Sequence, residues 1–202
     1  MESENIGSNE ENAKPTKKQS AWEMVRFIIL ALIIVIPIRI FVAQPFVVSG
    51  SSMYPTFQNG DYLIVDELSY RTGDPQRYDV VVFHYPLDPS KFFIKRVIGL
   101  PGETVKILGN NITIVNKDHP EGFQIPEPFV KNPGDNDMTF NLKEGQYFVM
   151  GDNRSASSDS RSWGAVPRDL MSGRVLVRLL PLNDLGIMPG EYKAASLPGQ
   201  TK

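Results

Sequence analysis

Serines and a lysine are the residues in this 202-residue chain whose types and spacing could do chemistry, because thiols are absent and histidines are scarce. The chain has no cysteine, which removes thiol nucleophiles, disulfides and Cys-ligated zinc. Its two histidines, His84 and His119, stand in no metal-ligand spacing and beside no nucleophile, so neither is given a role and no metal or cofactor is expected. Serines cluster at Ser49, Ser51 and Ser52, within a segment running from Gln44 to Thr56. Such a Ser/Gly/Pro cluster reads either as a turn or as the seat of a nucleophile. It is not a nucleophile elbow, since Gly50-Ser51-Ser52-Met53-Tyr54 lacks the second glycine. Without a histidine base, a serine needs a lysine, whose ammonium is disfavoured by burial and can then act near neutrality. Lys95 is the candidate: in Phe92-Phe93-Ile94-Lys95-Arg96-Val97, strand alternation puts it on the apolar face of Phe93 and Val97. A charged lysine blunting a sheet edge would give the same pattern. A third stretch, Gly151 to Gly164, is dense in small hydroxyls and paired charges, which suits a hydrogen-bonded wall or a polar loop.

The elements that must position these groups read as β. Runs at 61–68, 77–85, 91–98, 103–108, 111–116, 145–151 and 173–180 are rich in β-branched and aromatic residues and are separated by Gly, Pro and Asn. Leu108-Gly109-Asn110-Asn111 and Leu100-Pro101-Gly102-Glu103 predict tight hairpin turns. Residues 117–141, rich in Pro, Asp and Asn, predict an irregular excursion or a small subdomain. The expected fold class is mainly β, an antiparallel sheet domain over 44–202, large enough for one well-buried core.

Ahead of that domain, residues 1–22 predict a disordered polar tail and residues 23–43 a transmembrane anchor. From Phe27 to Ala43 the only charge is Arg39, and Pro37 is placed to kink the helix near one end. Lys14, Lys17, Lys18 and Arg26 precede the segment, whereas Gln44 to Tyr70 holds no Lys or Arg. The positive-inside rule then puts the N-terminus in the cytoplasm and the domain outside, a single-pass protein of the plasma membrane. A cleaved secretory signal fits less well, because Phe41 occupies a position before Ala43 where a small residue belongs. The formal charge of −2 gives no basic field for nucleic acid, and no heptad is legible, so a monomer is expected.

Ser52-Met53-Tyr54-Pro55-Thr56 after the apolar segment, then Ile94 through Glu103, then Gly151-Asp152-Asn153-Arg154 through Arg161, closely resemble the type I signal peptidases. The resemblance runs from about residue 22 to 175. It implies a membrane-bound serine endopeptidase that removes N-terminal signal peptides from exported preproteins, cutting after small residues of the Ala-x-Ala type. It implies Ser52, the serine directly before Met53, as nucleophile and Lys95 as general base. Ser157 corresponds to a hydroxyl that orients the lysine; Asp152 and Asp159 match acidic positions paired with arginines, here Arg96 and Arg161. Phe46, Val48, Met53, Val82, Phe93 and Ile94 are implied to bind an extended substrate that adds as a strand between two segments of the domain. In one respect the chain departs from some members, which carry a serine where Gly50 stands and use its hydroxyl at the oxyanion; Gly50 offers no such donor. The rival reading is a membrane-tethered β module that binds extracytoplasmic partners without catalysis.

Overall fold

An unbroken run of aliphatic residues carries its own helical tendency into the first element. The computed structural model describes residues 17–41, 43–134 and 137–192, and the chain divides into two units at Arg39/Ile40. The first holds most of helix α1, Lys17–Phe41. Residues 17–22, expected as part of a disordered tail, are therefore helical: Lys, Gln, Ala, Glu and Met around them are good helix formers and extend the helix below its apolar stretch. The rest of the expected tail, residues 1–16, lies outside the described residues. From Phe27 to Val35 every position is apolar, and all the large side chains among them are exposed. Side chains are described in this helix only for residues 22–35, so the distal part of the expected anchor lies outside them. Among the described residues no helix is long and apolar enough to cross a membrane.

The second unit is built almost entirely of antiparallel strands: β1 (Ala43–Val47), β2 (Tyr62–Asp66), β3 (Val80–Tyr85), β4 (Asp88–Gly99), β5 (Thr104–Leu108), β6 (Asn111–Val115), β7 (Phe123–Gln124), β8 (Met138–Asn141), β9 (Gln146–Met150), β10 (Val166–Pro167), β11 (Met171–Leu180) and β12 (Gly186–Ile187). Ala43, assigned above to the anchor, opens β1 instead. The large sheet runs β1-β2-β11-β3-β4-β9-β10 with β12 on β11, and the small sheet runs β7-β6-β5-β8. Alternating burial follows from alternating sequence: Val105 and Ile107 face inward while Lys106 and Leu108 face out, as the two-residue strand period requires.

The turn at 108–111 is a hairpin, joining β5 to β6 in register from Thr104↔Val115 to Leu108↔Asn111. The turn at 100–103 is not. It carries the chain from the large sheet to the small one, and β5 takes β6 and β8 as partners, so the hairpin expected there is replaced by a corner. The excursion 117–141 supplies β7 and β8, which complete the small sheet on either side. Three apolar clusters fill the domain. One, with Ile98, Val105, Ile114 and Phe148, lies under the small sheet; one, with Val48, Met53, Phe57, Leu63 and Val82, underlies β1–β3; the third gathers Phe83, Val97, Val149 and Met171.

Two strand edges are left open among the described residues. β1 pairs only with β2. β4 pairs with β3 along its length but meets β9 only from Arg96 onward. The unpaired edge of β4 before Arg96 therefore faces a gap, and across it Phe92 touches Phe46 of β1, ring centroids 5.1 Å apart.

Candidate active site

Lys95 is where the long strand β4 passes from its open edge into the fully paired core. Its side chain follows the apolar face read from the sequence: Nζ sits 5.2 Å from the Phe93 ring centroid, and the residue is only 4% exposed. Burial drives its pKa down from 10.5 to about 8, with the charges of Asp159 and Asp152 opposing the fall. Nζ lies 2.8 Å from Ser52 Oγ and 2.9 Å from the Ile94 carbonyl oxygen. A neutral amine has two N–H groups and one lone pair. It can donate to Ile94 O while its lone pair receives the Ser52 hydroxyl proton, which is the arrangement of a base poised on a nucleophile.

Ser52 stands on the 48–61 loop, which the sequence pins at both ends and in the middle. Val48 N–H donates to Asp61 O, Gly60 N–H to Val48 O and Gly50 N–H to Asn59 Oδ1, each at 2.9 Å. Met53 and Phe57, 1% and 0% exposed, plug the loop into the core. That placement corrects the expectation for Met53. It does not line the cleft but lies beneath it, because a thioether directly after the serine is turned inward by the helical turn Phe57 N–H to Met53 O.

The third stretch holds the serine from the other side. Asn153 N–H donates to Ser52 O and Asn153 Nδ2 to Ser51 O, both at 3.0 Å. Gly151 permits this approach: a Cβ there would meet Ser52 O at 2.4 Å and Ser157 Oγ at 2.3 Å. Asp152 and Asp159 are fully buried and each is paired. Arg96 donates to both oxygens of Asp152, at 2.8 and 2.6 Å, while Thr56 Oγ1 on the serine loop donates to Asp152 Oδ2 at 2.5 Å. Arg161 donates to both oxygens of Asp159 at 2.8 Å, and Gly151 N–H reaches Asp159 Oδ2 at 3.0 Å. Asp159 also caps the short helix Ser160–Trp163, so one carboxylate fixes both the helix start and the glycine beside the nucleophile. Ser157 is placed differently from the expectation. Its Oγ is buried with no hydrogen-bond partner, and Lys95 bonds to Ser52 and Ile94 instead.

A cavity of about 480 Å³ opens along the two free edges with Ser52 and Lys95 at one end. Of the six residues expected to bind substrate, Phe46, Val48, Val82, Phe93 and Ile94 line it; Leu63 and Ser158 line it as well and were not singled out from sequence. Asn153 and Thr56 were also missed, although both lie inside the serine and third motifs. The usable signal was a polar side chain of short reach beside an acidic or serine position. A second cavity, about 580 Å³, lies by the excursion and is walled partly by Arg154 and Arg161, but it contains no nucleophile–base pair.

The family model for signal peptidase, peptidase S26, matches residues 21–180. A probable signal peptidase I-2 from Synechocystis sp. is 37% identical over 193 residues, covering 92% of this chain and 85% of that protein. A signal peptidase I from Leptolyngbya laminosa is 37% identical over 183 residues, 86% of this chain and 87% of its own length. Signal peptidase IB from Staphylococcus aureus is 31% identical over 180 residues, 83% and 93% of the two chains. With the match extending through the serine loop, the lysine strand and the buried Asp–Arg frame, this chain belongs to the signal peptidase family, peptidase S26.

Proposed function

We propose that this chain is a membrane-anchored serine endopeptidase that removes N-terminal signal peptides from exported preproteins, with Ser52 as nucleophile and Lys95 as general base. The observation that carries the residue assignment is the 2.8 Å approach of a buried, pKa-lowered lysine amine to a serine hydroxyl at the end of an open-edged cleft.

Neutral Lys95 takes the Ser52 proton as Oγ attacks the scissile carbonyl. The backbone N–H of Ser52 stabilises the oxyanion, and Gly50 adds no side-chain donor to it. The lysine ammonium then protonates the amine of the departing mature chain, leaving the signal peptide esterified to Ser52. Lys95 next removes a proton from water, which hydrolyses the ester. Ser157, with a buried hydroxyl whose bonding capacity is unspent beside Gly151, is suited to orient Lys95 once the substrate has entered. The open edges of β1 and β4 support insertion of the substrate as an extended strand, its backbone bonding to both. Side chains then alternate toward the cleft floor of Val48, Val82 and Ile94 and away from it, which fits small residues at alternate positions before the cut.

Residues 23–43 form the anchor in this reading. Their support is the run from Phe27 to Val35, apolar on every side of the helix and exposed, a pattern that calls for a lipid or protein surround. The lysines and arginine before the run place the N-terminus in the cytoplasm. Nine residues separate Ala43 from Ser52, so the site is held within about 30 Å of the bilayer, where precursors present their own signal helix.

The test is cleavage of a preprotein carrying an Ala-x-Ala site in detergent or lipid, with EDTA present throughout, by the parent and by Ser52→Ala. Cutting at that bond by the parent alone is expected. Cutting that survives Ser52→Ala would move the nucleophile elsewhere, and a folded parent that cuts nothing would favour a binding module.

A further inference from the structure

The family match ends at residue 180, yet the chain beyond it returns to the catalytic frame. After β12, Met188 takes a left-handed conformation, φ +50°, uncommon for an unbranched apolar residue, and Gly190 follows at φ +77°. Glu191 N–H closes this turn on Met188 O at 3.0 Å. The turn presents the Gly190 carbonyl to Arg96 Nη1 at 2.6 Å. Arg96 is fully buried and needs every acceptor it has: both oxygens of Asp152, Tyr78 O at 3.0 Å and Gly190 O. Gly190 is packed so closely that a Cβ would stand 2.5 Å from Thr56 Cγ2, and Thr56 is the serine-loop residue that bonds Asp152. Two residues on, Tyr192 packs edge-on against Tyr78 at 5.0 Å and Phe129 at 5.8 Å, and Phe129 lies under the Arg96 guanidinium at 4.0 Å.

We propose that residues 188–192 form a positioning strap that locks Arg96, and through Asp152 and Thr56 holds the Ser52 loop against Lys95. This rests on the Ser52/Lys95 reading above and adds to it Gly190 and Tyr192, neither of which touches the substrate. Without the Gly190 carbonyl and the Tyr192 ring, water reaches Arg96 and the carboxylates of Asp152 and Asp159 that face Lys95 from the third motif. The serine loop then loses its register on the lysine, and Lys95 becomes better hydrated.

The experiment compares the full-length parent with Gly190→Ala, Tyr192→Ala and Tyr192→Phe on the same preprotein, measuring kcat and KM from pH 6 to 10. Displacing the strap from either end should lower kcat about ten- to a hundredfold with KM nearly unchanged, as expected for a small misplacement of reacting groups. The acid limb of the kcat profile should move to higher pH, since hydration restores the lysine's preference for the charged form. Tyr192→Phe keeps the ring and should restore both. Parental kcat and acid limb in the two alanine variants overturn the strap. So does a uniform loss at all pH that tracks a loss of near-ultraviolet circular dichroism, which marks a purely structural segment. A parent that does not cut overturns the Ser/Lys reading and the strap with it.

Discussion

At the scale of single residues, catalysis and stability pull on Lys95 in opposite directions. Its folded-state pKa, about 8, lies below the ordinary 10.5, so between those values the unfolded chain binds the proton that the folded one has released. Stability should therefore rise with pH across that window, and below pH 8 the buried ammonium costs roughly 3 kcal/mol. Lys95→Met should raise the urea midpoint below pH 8, with the gain shrinking toward pH 10.5; a variant less stable at every pH contradicts this. For activity the sign is simple: only the neutral amine is a base, so kcat/KM of the parent should fall below about pH 8. Ser157 offers a second separation of roles. Its hydroxyl spends no hydrogen bond in the resting protein, so Ser157→Ala should change stability by less than about 1 kcal/mol. The same variant should lose activity about a hundredfold if the hydroxyl orients Lys95 during the reaction, a range common to groups that hold catalytic geometry.

At the scale of elements, the excursion and the third motif are one structure. Arg154 and Glu127 form a buried ion pair, Arg154 Nη1 donating to Glu127 Oε2 at 2.8 Å, and Asn132 Nδ2 donates to Asn153 Oδ1 at 3.1 Å. Glu127→Ala strands the arginine, and thermal or urea unfolding should show a loss of about 3 to 5 kcal/mol. A loss near zero would mean water solvates Arg154 in place of Glu127. How far these elements could be read from sequence depends on their length and on what they pair with. Each β-rich run contains a strand, because alternation over five or more residues is a local property: 103–108 holds β5 and 111–116 holds β6. The two-residue strands β7, β10 and β12 have no room for a pattern and exist only through their partners. The corner at 100–103 has the residues of a hairpin turn, and only the competing pairing of β5 with β8 decides against it. At the site, Ser52 and Lys95 were legible as residue types, but their pairing was not, since 43 positions separate them and only the folded loop brings them to 2.8 Å. Met53 was misplaced for the same reason: which face of a loop is buried is a tertiary fact.

At the scale of the whole molecule, the chain joins an apolar helix to a domain whose cleft has two open strand edges. The absence of cysteine makes both features testable by introduced thiols. In intact cells a membrane-impermeant maleimide should label Asp118→Cys, an exposed domain position, and should leave Ser8→Cys unlabelled until the membrane is opened. Labelling of Ser8→Cys alone would reverse the orientation. A thiol at the nucleophile position answers the deepest question. The protein to make is Ser52→Cys, whose single thiol would stand beside Lys95, and the quantity to measure is cleavage of an Ala-x-Ala preprotein before and after alkylation. Slow cutting at the same bond, abolished when one equivalent of N-ethylmaleimide is bound while the parent is unaffected, is the expected result. Cutting by Ser52→Cys that proceeds unchanged after complete alkylation would show that position 52 does not attack the substrate.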